Sequence, residues 1–240
     1  MSLARHEPRG DMAPTVKGEI SMTSLDRRLS TLQVLYKVRF KDYVRIIKAP
    51  ENRHLRMAYH DGTLEIVSPK LSKHEAPSDR LRIIVTTVAT RLGLTYDRTG
   101  SYTYRRAGEG PYRGKGKEPD QSFYFANAGR VPKNRDPDLD AGDPPPDLWI
   151  EVDNRASSAG RLPIYAALGV PEVWRYRAAK KTLQFLQLVD GAYQSIDRSL
   201  AIPALAPALV LEALALGGDP IESEWTRLLG EWVARTFPPA

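Results

Sequence analysis

The alternation of apolar and polar residues changes period several times along the chain, and each change marks an element. "LQVLYKVRFKDYVRII" (32–47) is apolar-rich without a clean period, so a helix or a strand fits equally. "HLRMAYHDGTLEIVSP" (54–69) holds two alternating runs around Asp61-Gly62, which predicts a β-hairpin ending at Pro69. From His74 to Gly93 the spacing turns helical: Leu81, Ile84, Val85, Val88 and Leu92 share a stripe, and Gly93 stands where a helix stops. Short strands are expected at 94–97 and 101–105, followed by a glycine-rich basic loop, "RRAGEGPYRGKGK" (105–117), and the strand "QSFYF" (121–125). Residues 127–146 form a long loop rich in Pro, Asp and Gly. "DLWIEV" (147–152) is a near-continuous apolar run of the kind buried on both faces. "AGRLPIYAAL" (159–168) reads as a helix closed by Gly169-Val170-Pro171, and "EVWRY" (172–176) as a strand. "TLQFLQLVDGAYQSI" (182–196) is a second hairpin turning at Asp190-Gly191, and "IESEWTRLLGEWVART" (221–236) an amphipathic helix. Together these predict an α/β domain with a mixed β-sheet flanked by helices, added β-hairpins and a C-terminal helix.

Composition narrows the setting. With 240 residues, 42% apolar, the chain is long enough for one substantial core, assigned to residues 31–240. Residues 1–30 are polar, mixed in charge and aperiodic, and read as a disordered arm without a signal peptide. No apolar run is long enough to span a membrane, so a cytoplasmic protein is expected. Zero cysteines exclude disulfides and thiolate metal sites. The net charge of +6 is compatible with a polyanionic partner but does not require one. Trp149, Trp174, Trp225 and Trp232 read as core, and no P-loop, dinucleotide fingerprint or Ser-His-Asp pattern is present.

Candidate chemistry rests on acids. Glu151 and Asp153 lie two apart on one strand and share a face, and Asp120 stands at the mouth of another strand. If the two strands are neighbours, Asp120 and Glu151 converge at one sheet edge, where oxygen ligands suit Mg²⁺ or Mn²⁺. Each acid also has a plainer explanation. Asp120 follows a proline and can initiate a turn; Glu151 can pair with Arg155 or Arg161; Asp153 can cap the turn after its strand. Upstream, Arg105, Arg106, Arg113, Lys115 and Lys117 are interleaved with tyrosines and glycines, a composition that suits phosphate contact and base stacking or a solvated loop.

In order, "HDGTLEIVSP", "KHE", "EPDQSFYF", "PPPDLWIEVD" and "IYAALGVPEVWRY" resemble the Uma-type restriction-endonuclease-like family of the PD-(D/E)XK nuclease superfamily, from about Phe40 to Leu200. The resemblance implies a core of helix, mixed sheet and second helix. It also implies a Mg²⁺ or Mn²⁺ ion held by a strand Asp and a strand Glu, here Asp120 and Glu151. Asp153 becomes a further metal candidate and Glu75, on the first helix, an auxiliary acid. The implied activity is hydrolysis of a nucleic-acid phosphodiester, DNA for preference, by metal-activated water, and a homodimer is the implied assembly. In one respect the chain departs from the pattern: the superfamily lysine two residues after the strand Glu is replaced by Asp153, and the alternative site on the following helix holds Arg161. Arginine stabilises charge on a phosphate but is no general base. A nucleic-acid binder that has lost cleavage, and an interaction protein whose acids only form salt bridges, are therefore the rival readings.

Overall fold

The computed structural model describes residues 32–67, 75–99, 102–153 and 158–238. The expectations for the 1–30 arm, Pro69, His74 and Arg155 fall outside them. In chain order the elements are β1 (Leu32–Leu35), α1 (Phe40–Lys48), β2 (Arg56–His60), β3 (Thr63–Val67), α2 (Glu75–Arg91), β4 (Asp97–Thr99), β5 (Tyr104–Ala107), β6 (Gly114–Lys117) and β7 (Gln121–Tyr124). After them come β8 (Leu148–Asp153), α3 (Leu162–Leu168), β9 (Glu172–Arg177), β10 (Thr182–Val189), β11 (Ala192–Ile196), α4 (Pro207–Leu214) and α5 (Glu222–Thr236). The fold is mixed α/β: two sheets flanked by five helices, as the hydropathy pattern predicts.

The larger sheet runs β11-β10-β9-β8-β7-β4 and the smaller β1-β3-β2-β6-β5. Only β8 and β9 pair in parallel among the named strands; α3 makes the crossover between them, which is why the larger sheet is mixed. One face of this sheet is covered by α2, α4 and α5. Leu81, Ile84, Val85 and Val88 of α2 are wholly buried there with Leu148, Ile150, Trp225 and Trp232. Leu92 lies beyond the end of α2 and is exposed, so it leaves the predicted stripe. The opposite face carries Trp149, packed with Tyr104, Ile164 and Tyr165, and joins the two sheets through Ala58.

Both predicted hairpins form. Asp61 and Gly62 have φ of 44° and 90°, and Asp190 and Gly191 have 49° and 80°; positive values at both central positions match the twist of the flanking strands. The 32–47 segment contains a strand and then a helix. The expected strand at 94–97 is observed as β4, three residues later.

The glycine-rich 105–117 segment is a hairpin of β5 and β6 rather than a loop. Its glycines serve packing. A Cβ at Gly114 would meet the Phe40 ring at 2.5 Å, and one at Gly116 would collide with the Tyr43 ring and hydroxyl. Alternation along β6 therefore turns Gly114 and Gly116 toward α1 and sends Lys115 and Lys117 to the other face.

Candidate active site

Strands β6, β7 and β8 bring the predicted acids together. Asp120 immediately precedes β7, and its Oδ2 accepts the backbone N–H of Val152 at 2.8 Å, which sets its carboxylate beside the strand that carries Glu151. Asp120 Oδ1 accepts a hydrogen bond from Arg56 Nη1, an ion pair whose arginine side chain is 49% exposed.

Glu151 is buried in the face that holds Trp149. Its Oε1 accepts from Trp149 Nε1 at 2.6 Å and from Lys117 Nζ at 2.9 Å. Lys117 is itself 9% exposed and donates a second bond to the Glu118 carbonyl at 2.8 Å. Burial raises the Glu151 pKa; the Lys117 charge opposes that shift and the like charge of Asp120 adds to it. Among the described residues, no hydrogen bond reaches Glu151 Oε2. Among these residues the donors thus gather on one carboxylate oxygen.

The remaining candidates have partners of their own. Asp153 accepts from Ser158 N at 2.8 Å and from Arg175 Nη2 at 2.9 Å, so it caps the turn leading to α3 and forms a buried ion pair. Arg161, at the entry to α3, donates to Glu65 Oε2 of β3 from Nε and Nη2, at 3.2 and 2.9 Å. Burial works against its charge, but Glu65 outweighs that and holds the Arg161 pKa above its ordinary value. Glu75 is the first residue of α2. The helix start is tied to β7 by Gln121 Nε2, which donates to Ser78 Oγ at 3.0 Å.

The basic residues of the β5–β6 hairpin are similarly engaged. Arg105 faces Asp138 at 3.8 Å and Asp136 at 4.0 Å, and Arg106 donates to the Ala167 carbonyl at 3.0 Å. Arg113 and Lys115 both pair with Asp61, at 3.2 and 2.6 Å. Lys117, read from sequence as one cation of a nucleic-acid surface, sits instead on Glu151. Cations without an acidic partner among the described residues stand elsewhere: Lys48, Arg53 and Lys133 line a cleft of about 530 Å³ with Glu118 and Tyr102.

Sequence reasoning did not single out Arg56 or Tyr165. Arg56 is 64 residues from Asp120 and no local spacing links them. Tyr165 packs against Trp149 with the rings tilted by 32° and their centroids 5.1 Å apart, and Lys117 Nζ lies 5.8 Å from its ring centre.

One family is matched by this chain. Its model, described as "Putative restriction endonuclease", matches residues 40–216. The chain belongs to the Uma2 family. The matched span includes Arg56, Lys117, Asp120, Glu151 and Tyr165, so the whole site lies inside the Uma2 region. Among solved structures, the chain is similar to a crystal structure of a "putative nuclease" from Anabaena variabilis ATCC 29413. The two share 12% identity and a TM-score of 0.44, over 82% of this chain and 99% of that one. No curated protein matches. No helix of the described residues is long and apolar enough to cross a membrane.

Proposed function

We propose that this Uma2 protein is a nuclease that hydrolyses DNA phosphodiester bonds, with Asp120 and Glu151 as ligands of Mg²⁺ or Mn²⁺. The observation that supports this most is the hydrogen bond from Val152 N to Asp120 Oδ2. It joins an acid of one strand mouth to the neighbour of Glu151, whose Oε2 has no hydrogen-bond donor among the described residues. Among the described residues no group of three or more His, Asp or Glu side chains is placed to hold a metal ion. Two carboxylates nevertheless fit ions of this kind, which retain several waters.

When bound, such an ion supplies a water of lowered pKa and offsets charge on the phosphoryl oxygens. The chain's own groups do the rest. Lys117 fixes a positive charge against Glu151 Oε1 and holds that carboxylate in one orientation. Trp149 locks the same oxygen from the strand itself. Arg161 places a permanent cation near the site, and Glu65 limits its reach. Glu75, one turn from the Ser78–Gln121 contact, is assigned as an auxiliary acid, and Asp153 keeps the turn before α3 in place. Lys48, Arg53 and Lys133 offer sequence-independent contacts to the DNA backbone.

One feature of the site favours a second reading: each acid already has a cation, Arg56 on Asp120 and Lys117 on Glu151. An interaction protein with structural salt bridges would look the same. Mn²⁺ calorimetry and plasmid nicking with wild type and Asp120→Asn separate the two. The nuclease reading expects Mn²⁺ binding and cleavage in wild type, with cleavage reduced about 100-fold or more in the variant. Wild type that takes up no Mn²⁺ and leaves plasmid intact overturns it; Mn²⁺ uptake with intact plasmid makes it a binder.

A further inference from the structure

Three buried side-chain polar atoms lack a hydrogen-bond partner among the described residues: Tyr43 Oη, Arg105 Nη1 and Tyr165 Oη. Arg105 is the first charge that acts on the Tyr43 hydroxyl, so two of the three belong to one neighbourhood in the smaller sheet. Tyr165 is different. It lies in the second turn of α3 with no exposed surface, and the charges that act on its hydroxyl are those of Glu151, Arg161, Asp120 and Asp153. An unpartnered hydroxyl inside a fold destabilises it, because nothing replaces the water it gave up. The ring explains itself through Trp149; phenylalanine would serve that contact equally well. Among the described residues the hydroxyl makes no hydrogen bond, and its ring stands 5.8 Å from Lys117 Nζ, the ammonium that holds Glu151.

We propose that the Tyr165 hydroxyl is a further catalytic group, donating its hydrogen bond to a non-bridging oxygen of a phosphodiester held at Asp120 and Glu151. This rests on the nuclease reading of the site. Burial raises the phenol's pKa well above its ordinary value, so it remains a proton-bearing donor. A neutral phenol is a weak ligand for Mg²⁺ beside two carboxylates, which leaves the substrate as the group it can serve. The role is positioning an oxygen that gains charge in the transition state, and no proton needs to be transferred.

The test is Tyr165→Phe in the full-length chain, read four ways. Its thermal midpoint without metal should equal or exceed that of wild type, since an unsatisfied group has been removed. Mn²⁺ affinity by calorimetry should stay within about twofold, because no ligand is lost. Affinity for a labelled DNA duplex in Ca²⁺, measured by fluorescence polarisation, should fall about tenfold. The single-turnover cleavage rate in Mg²⁺ should fall about 100-fold, the usual loss for one donor to a developing oxyanion. A lowered thermal midpoint, or Mn²⁺ affinity lost with the hydroxyl, overturns the assignment. So do duplex affinity and rate both equal to wild type. Should wild type itself fail to cut, the nuclease reading falls on its own, and the duplex comparison still decides: equal affinity overturns the role of Tyr165, weakened affinity retains it as a phosphate contact.

Discussion

Glu151 and Glu172 occupy the paired parallel strands β8 and β9, both are buried, and each accepts a 2.6 Å hydrogen bond from an indole two residues away, Trp149 and Trp174. Burial raises the pKa of both. Their second oxygens differ. Glu172 Oε2 accepts from Ala201 N at 2.9 Å and Ser199 Oγ at 3.1 Å, so neutral donors close the whole carboxylate. Glu151 gathers both donors on Oε1, one of them the Lys117 ammonium, and stands beside a second acid, Asp120. Burial and a tryptophan partner are thus compatible with a purely structural carboxylate. Under the nuclease reading, Glu151 differs in having a second oxygen that no described residue bonds, next to another acid.

The same substitution at both positions should break this comparison most sharply. Glu151→Gln keeps one oxygen for Trp149 and Lys117 and puts the amide where no bond is made. We expect a loss of roughly 3 kcal/mol, because the buried Lys117 ammonium loses its counter-charge, with cleavage per folded molecule reduced about 1000-fold through loss of a metal ligand. Glu172→Gln cannot be accommodated in this way, because its amide nitrogen must face either the indole N–H or the Ala201 N–H. It should lose roughly 2 kcal/mol, read from the denaturant midpoint, while each folded molecule keeps full activity. Equal losses of activity per folded molecule at the two sites would remove the distinction.

A smaller effect isolates Asp120. Arg56 competes for its carboxylate from a half-exposed position, where an ion pair contributes little to stability. Arg56→Gln should therefore leave the thermal midpoint almost unchanged and tighten Mn²⁺ binding about threefold, by removing a competing cation. Binding that weakens instead would make Arg56 part of the metal site's support.

The elements that were legible in the sequence are those with a local cause. Asp61-Gly62 and Asp190-Gly191 announce their turns by conformational preference, and the α2 stripe announces its buried face by spacing. Helix α4 was not foreseen, because "PALVLEAL" offers hardly any polar residues from which to read a period. Asp120 and Glu151 were legible as candidates through family resemblance, and their strands are indeed neighbours. What each acid touches was not legible. Arg56, Lys117 and Tyr165 reach the site through strand order and a crossover, contacts separated by 34 or more residues in the cases of Lys117–Glu151 and Arg56–Asp120. By composition "RGKGK" suits a phosphate-contacting or solvated loop, whereas alternation on β6 sets its glycines against Phe40 and Tyr43.

The smallest prediction uses an acid whose shift has the opposite sign. Burial alone would raise the pKa of Asp61, but the Gly114 N–H, Lys115 and Arg113 outweigh it and hold it at about 2 against an ordinary 3.8. A carboxyl depressed in the folded state stabilises the fold above its ordinary pKa and loses that contribution as pH falls through about 2. The raised glutamates act in the other direction: their contribution is complete below their unfolded pKa and is lost as pH rises through the folded one. Asparagine tolerates the positive φ of this turn, so Asp61→Asn should preserve the hairpin and remove only the charge. The variant's denaturant midpoint should fall below wild type at pH 7, and the gap should close as both are titrated from pH 4 toward pH 2. A gap that stays constant over this range would mean that Asp61 supports the hairpin through turn geometry rather than through its pairing with Lys115 and Arg113.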